Sequence, residues 1–114
     1  MRIAIKVQQE VFDSSVEAAN LRSGIALTGA LVEFTGFVRD VSEGSQVSAM
    51  YLEHYPGMTE TLLDDIVMQA KARWDLVAVT VIHRIGNLAP NDQIVFVGVA
   101  SEHRKEAFDA AQFL

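Results

Sequence analysis

The chain has no cysteine among its 114 residues. That removes disulfide cross-links, a thiolate nucleophile and any Cys-based zinc site. Histidine is scarce too: His54, His83 and His103 are the three, with no His-x-x-x-His spacing. A metal site would have to be assembled from distant elements, so none is expected. There is neither a Gly-x-Gly-x-x-Gly fingerprint nor a P-loop. Long apolar runs are also missing. The longest, Ile94 to Ala100, is too short to span a bilayer, and the N-terminus alternates like a strand instead of forming a signal-peptide core. Basic residues are outnumbered 9 to 15, giving a net charge of −6, which argues against wrapping nucleic acid. A small anion held by a few local cations is still allowed. These absences predict a soluble, cytoplasmic chain that engages neither nucleic acid nor membrane.

What is present is a patterned, apolar chain. Half the residues are hydrophobic, which excludes extended disorder. Its length suits one domain burying roughly 60–68% of its unfolded surface. No repeat, low-complexity stretch or interdomain linker interrupts it. Ile3 to Val7 reads as a strand. Asp13, Ser14 and Ser15 offer N-caps for a helix through about Arg22, with Gly24 just past its end. Gly29 to Arg39 is β-rich with Val32, Phe34 and Val38 on one face, and Gly36 within it signals a bulge or a close backbone approach. Asp40 to Gln46 reads as a polar turn, Val47 to Tyr55 as a strand and Pro56-Gly57 as a type II turn. A helix from about Thr59 to Trp74 follows, with Leu62, Leu63, Ile66, Val67, Ala70 and Trp74 at helical spacing. Strands at Leu76 to Ile85 and Gln93 to Ala100 flank a Gly86–Asp92 connection. The order β-α-β-β-α-β-β-α predicts an α+β domain with helices packed on a largely antiparallel sheet.

The chemistry concentrates after the last strand. Ser101 occupies an N-cap position, so His103, Arg104 and Lys105 fall in the first turn of a helix. The dipole is already positive there, so cations cost roughly 0.3–1 kcal/mol each unless an anion offsets them. Free backbone N–H groups at such a terminus bind anions, and His and Arg beside them sharpen the preference. The bland reading is an ordinary surface turn in which Glu102 pairs with Lys105. Arg39, at a strand end beyond Gly36, could complete a phosphate or carboxylate cluster through its planar fork. Its bland reading is an ion pair with Asp40 or Glu43. His54 and His83 read as hydrogen-bonded structural residues of strands. Ser101 and His103 do not face each other, which excludes a Ser-His nucleophilic pair. Asp64 and Asp65 belong to a solvated helix face. Tyr51, Tyr55 and Trp74 suit core packing better than stacking on a planar ligand.

Four stretches carry a resemblance: Phe34 to Arg39 (Phe-Thr-Gly-Phe-Val-Arg), Leu52 to Glu60 (Leu-Glu-His-Tyr-Pro-Gly-Met-Thr-Glu), Val81 to Gly86 (Val-Ile-His-Arg-Ile-Gly) and Pro90 to Arg104, ending Ala-Ser-Glu-His-Arg. In this order and spacing, from about Gly24 to Leu114, the chain resembles the large, catalytic subunit of molybdopterin synthase, the MoaE family. The resemblance implies a MoaE-like fold of the α/β-hammerhead type. It also implies sulfur transfer that makes molybdopterin, in molybdenum cofactor biosynthesis. The sulfur arrives as a thiocarboxylate on the C-terminal tail of a small ubiquitin-like, MoaD-like partner. The acceptor is cyclic pyranopterin monophosphate, and no bound cofactor is implied. The family's large subunits pair as a homodimer within a heterotetramer. Its substrate-binding positions fall on Phe37, Val38, Arg39, His103 and Arg104, the last two reaching the neighbouring subunit's pocket, with Phe34 as an apolar wall. The family's catalytic lysines lie in a segment after the last helix. This chain stops at Leu114 with only Lys6, Lys71 and Lys105. The expectation is therefore a single MoaE-like domain over 1–114 that lacks the C-terminal catalytic segment, with catalytic residues unassigned. One alternative is a non-catalytic remnant that binds the partner or an anion. Another is a purely structural dimerisation domain.

Overall fold

The computed structural model describes residues 1–39 and 57–114 in full, together with the backbone of 41–42, 45–46 and 50–52. Strand β1 (Arg2–Gln8) leads into helix α1 (Ser14–Arg22), then β2 (Ala30–Phe37), β3 (Val41–Ser42), β4 (Ser45–Gln46) and β5 (Met50–Leu52). Helix α2 (Met58–Arg73), β6 (Ala78–Arg84), β7 (Gly86–Leu88), β8 (Gln93–Ser101) and α3 (Arg104–Phe113) complete the chain. The main sheet has the order β1-β6-β8-β2. Strands β6 and β2 both run antiparallel to β8, while β1 joins β6 in parallel. The expected α+β class holds, with one parallel pairing at the edge.

Alternation along the strands creates two apolar faces, and helices cover both. On one, Leu21 of α1 and Phe12 pack against Ala78, Ile82, Phe96 and Ala100. On the other, Val67 and Ala70 of α2 and Ala107 and Ala110 of α3 cover Val79, Val81, Val97 and Val99. Helix α1 starts where its cap residues predict: the Asp13 carboxylate accepts from the Ser15 amide at 2.9 Å and the Val16 amide at 3.4 Å.

Three expectations need correction. The Gly86–Asp92 connection contains a strand, β7, which pairs antiparallel with β5. Along α2, Val67 and Ala70 are buried and Leu63 and Trp74 pack on the core, but Leu62 is 57% exposed and Ile66 is also exposed. Helix α2 lies over β1, the sheet's edge strand, so part of its apolar stripe has no sheet beneath it. In the predicted polar turn, β3 pairs with β4, whereas Asp40, Glu43 and Gly44 lie outside the described residues. So do most of the predicted Val47–Tyr55 strand, the side chain of Tyr51, His54, Tyr55 and Pro56.

Candidate functional site

Ser101 does not cap α3. Strand β8 continues through Ser101, which pairs with Ala30 and is fully buried. Its hydroxyl donates to the Asp75 carbonyl at 2.8 Å and accepts from the His103 amide at 3.3 Å. The hydroxyl thus fastens the strand end to the segment after α2, and the N-cap moves to His103, which makes no side-chain cap bond. The first intrahelical bond runs from the Ala107 amide to the His103 carbonyl, so the amides of Arg104, Lys105 and Glu106 precede the hydrogen-bonded ladder. Gly29 closes the corner from beneath. Its amide donates to the Ser101 carbonyl at 2.9 Å, and a Cβ there would collide with the Glu102 carbonyl.

The three cations of this corner divide. Lys105 bonds Asp109 one turn on, at 2.6 Å, and not Glu102. The Asp109 carboxylate, by that hydrogen bond first and its charge second, holds the Lys105 ammonium above the usual lysine range. His103 and Arg104 are exposed and make no ion pair among the described residues. The anion-binding capacity read from the sequence therefore rests on these two and on the helix start.

Arg39 lies at the other end of the sheet. The register sets Ala30 against Ser101 and Phe37 against Gln93, so seven residues of strand, about 23 Å, separate the two ends. Within one chain the Arg39, His103 and Arg104 cluster does not assemble. Arg39 is exposed and Phe37 beside it is 53% exposed. Val38 between them is 1% exposed, with its amide on the Asp92 carbonyl at 2.9 Å and its carbonyl on the Asn91 amide at 2.8 Å. Its side chain offers nothing to a ligand. The flagged Gly36 marks a register irregularity, since the ladder shifts between Gly36 and Phe37. The closely approaching group is Val95, whose Cγ1 would sit 2.7 Å from an added Cβ. Phe34, 57% exposed, lines an open apolar groove of about 600 Å³ with Val32, Val95, Val97, Phe108 and Leu114.

Other candidates resolve differently. His83 is half-buried, and its Nδ1 has no hydrogen-bond partner among the described residues, against the expected hydrogen-bonded role. Trp74 packs edge-on to Phe113 at 5.4 Å, as a core residue does. Asp64 and Asp65 are exposed. No His/Asp/Glu group suited to a metal occurs among the described residues. Their helices include none long and apolar enough to cross a membrane. Sequence reading missed Arg84, a 7% exposed cation in β6. It donates to the Gln9 carbonyl through Nε at 3.2 Å and Nη2 at 2.9 Å, and to the Gln93 carbonyl through Nη1 at 3.0 Å. The only sequence signal was a charge inside an apolar run. It also missed the Ala89–Asp92 turn, where the Asp92 amide bonds the Ala89 carbonyl at 3.0 Å and Asn91 has φ +70°. Proline followed by a residue tolerating positive φ was the available signal for a type II turn.

Fold and surface together define an α+β domain with exposed cationic side chains at two opposite ends of one strand pair. The family model described as MoaE protein matches residues 7–114. A molybdopterin synthase catalytic subunit of Ralstonia nicotianae is 56% identical over 110 residues, 96% of this chain and 62% of that protein. Its counterpart in Pseudomonas aeruginosa is 49% identical over 112 residues, covering 98% and 75%. The solved MoaE protein of Burkholderia ambifaria superposes with a TM-score of 0.89 at 44% identity, covering 99% of this chain and 73% of that one. The chain belongs to the MoaE family. It spans less than two thirds of the length of the Ralstonia relative.

Proposed function

We propose that this chain acts as the large subunit of a molybdopterin synthase. It directs sulfur from the thiocarboxylated C-terminus of a small ubiquitin-like subunit to cyclic pyranopterin monophosphate. The observation that carries this reading is the placement of Arg39 and of His103 and Arg104, none ion-paired among the described residues, at opposite ends of β2 and β8 in a MoaE-family chain. Arg39 and Arg104 hold the substrate's phosphate or the carboxyl group of the partner's tail by charge-assisted bonds. His103 donates a hydrogen bond or moves a proton near neutral pH, where imidazole changes charge. Phe34 supplies an apolar wall and Phe37 flanks the ligand, while Val38 anchors both neighbours from inside the core. Because the two cation groups are about 23 Å apart along the strands, a joint site needs a second copy. A homodimer supplies it, with His103 and Arg104 of one subunit meeting Arg39 of the next.

Subunit mixing tests the arrangement. Arg39→Ala copies and Arg104→Ala copies each bind the pterin phosphate weakly. Random mixing should restore about one quarter of the sites to full affinity if the site spans two subunits. No restoration would mean that each chain binds alone, or not at all.

A second reading, binding without catalysis by residues 1–114 themselves, fits the placement of the three lysines they contain. Lys6 pairs with Glu17 at 3.7 Å, Lys105 is held by Asp109, and Lys71 lies exposed on α2. Formation of molybdopterin by the purified chain with thiocarboxylated partner would exclude this reading.

A further inference from the structure

Arg39 makes no ion pair among the described residues, and the sheet barely reaches it. The β2–β8 ladder becomes irregular at Gly36 and makes its last pairing at Phe37 and Gln93. Among the described residues, the chain at Arg39 is held through the residue before it. Val38 is gripped at both backbone groups by the Ala89–Asp92 turn, through the Asp92 carbonyl at 2.9 Å and the Asn91 amide at 2.8 Å. The turn is in turn braced. The Asp92 carboxylate accepts from the Ala89 amide at 2.8 Å, and the buried Arg84 guanidinium binds the carbonyl of Gln93, the next residue.

We propose that Asp92 and Asn91 are positioning residues for Arg39: their turn clamps Val38 and so aims the adjacent guanidinium at the substrate oxyanion. The inference rests on the reading that Arg39 binds the substrate. Asn91 contributes its left-handed conformation, which turns its amide toward Val38. A β-branched residue resists that conformation, and glycine adopts it freely. Asp92 contributes the carboxylate that holds the turn closed. A turn that merely joined β7 to β8 would stabilise the fold without any dependence on Arg39.

The experiment is a double-mutant cycle read by calorimetric titration of cyclic pyranopterin monophosphate into the purified chain. Asp92→Ala should weaken binding about five- to tenfold, the size of coupling carried by a shared backbone shift. Asn91→Val should do the same, whereas Asn91→Gly should stay within about twofold of the parent. With Arg39→Ala already present, Asp92→Ala should add less than about twofold, because its effect passes through the missing guanidinium. Hydrogen exchange supplies a second readout. The Val38 amide should lose protection in Asp92→Ala and Asn91→Val but keep it in Asn91→Gly. Unchanged binding in Asp92→Ala, or an equal loss with and without Arg39, would overturn the positioning role while leaving Arg39 as a ligand. Normal binding by Arg39→Ala alone would overturn the assignment of Arg39 and this inference together.

Discussion

The two ends of the β2–β8 pair present cations by opposite means. At the α3 corner, His103 and Arg104 stand at the very start of a helix, and the buried Ser101 hydroxyl and the Gly29 contact seat the backbone beneath them. At the other end no helix contributes among the described residues. Arg39 follows a strand whose ladder has become irregular, and a turn grips the preceding residue by its backbone. The helix corner adds oriented amides and a dipole to its cations. The strand end offers a lone guanidinium whose reach depends on how firmly Val38 is held. The difference teaches that the backbone beside a cation can be fixed by a neighbouring turn at one end of a strand pair and by a helix start at the other.

That contrast can be broken from either side, most severely at the buried cation. Arg84→Ala strips the Gln9 and Gln93 carbonyls of their donors. Losing these part-buried, charge-assisted bonds should lower stability by about 2–4 kcal/mol, measured by urea denaturation; a loss below half a kcal/mol would show that water replaces the guanidinium. Arg39→Ala should weaken binding of the pterin phosphate by about 1.5–3 kcal/mol, the range for a charge-assisted bond, with no change in melting temperature. Calorimetry showing parental affinity would remove Arg39 from the site. At the helix corner Gly29→Ala forces a methyl group onto the Glu102 carbonyl and should cost about 1–3 kcal/mol, together with binding through His103 and Arg104. If thermal melting shows no loss, the two segments separate freely there. Lys105→Met should have the smallest effect, since the pair is exposed and screened by salt. Because the folded-state pKa of Lys105 is raised by Asp109, any stabilisation is complete at neutral pH and disappears as pH rises through the elevated value. A difference between variant and parent that grew in alkali would contradict that account.

Much of this was readable from local chemistry. Asp13 as a cap, the strands around Val81 and Val97, the irregularity at Gly36 and exposed cations after β8 all follow from short-range rules: side-chain acceptors for free amides, alternation on a pleat, a missing Cβ. The misreadings have one cause. Ser101 looked like a helix cap because the residues after it form a helix, yet β8 runs through it, its hydroxyl donates to the Asp75 carbonyl 26 positions earlier, and the cap position falls to His103. Leu62 looked like core because of its spacing, yet α2 sits over an edge strand. Arg84 looked unremarkable because its partners, Gln9 and Gln93, are distant in sequence.

The sequence by itself determined the α+β class, the positions of most helices and strands, and the presence of two cation-bearing stretches, because helix caps, periodicity and residue charge act over a few neighbouring residues. The tertiary structure alone decided that those stretches lie at opposite ends of one strand pair, that Val38 is an anchor with no free group, and that Lys105 is occupied. Register, burial and partner choice are set by contacts between residues far apart in the chain, and no local pattern encodes them.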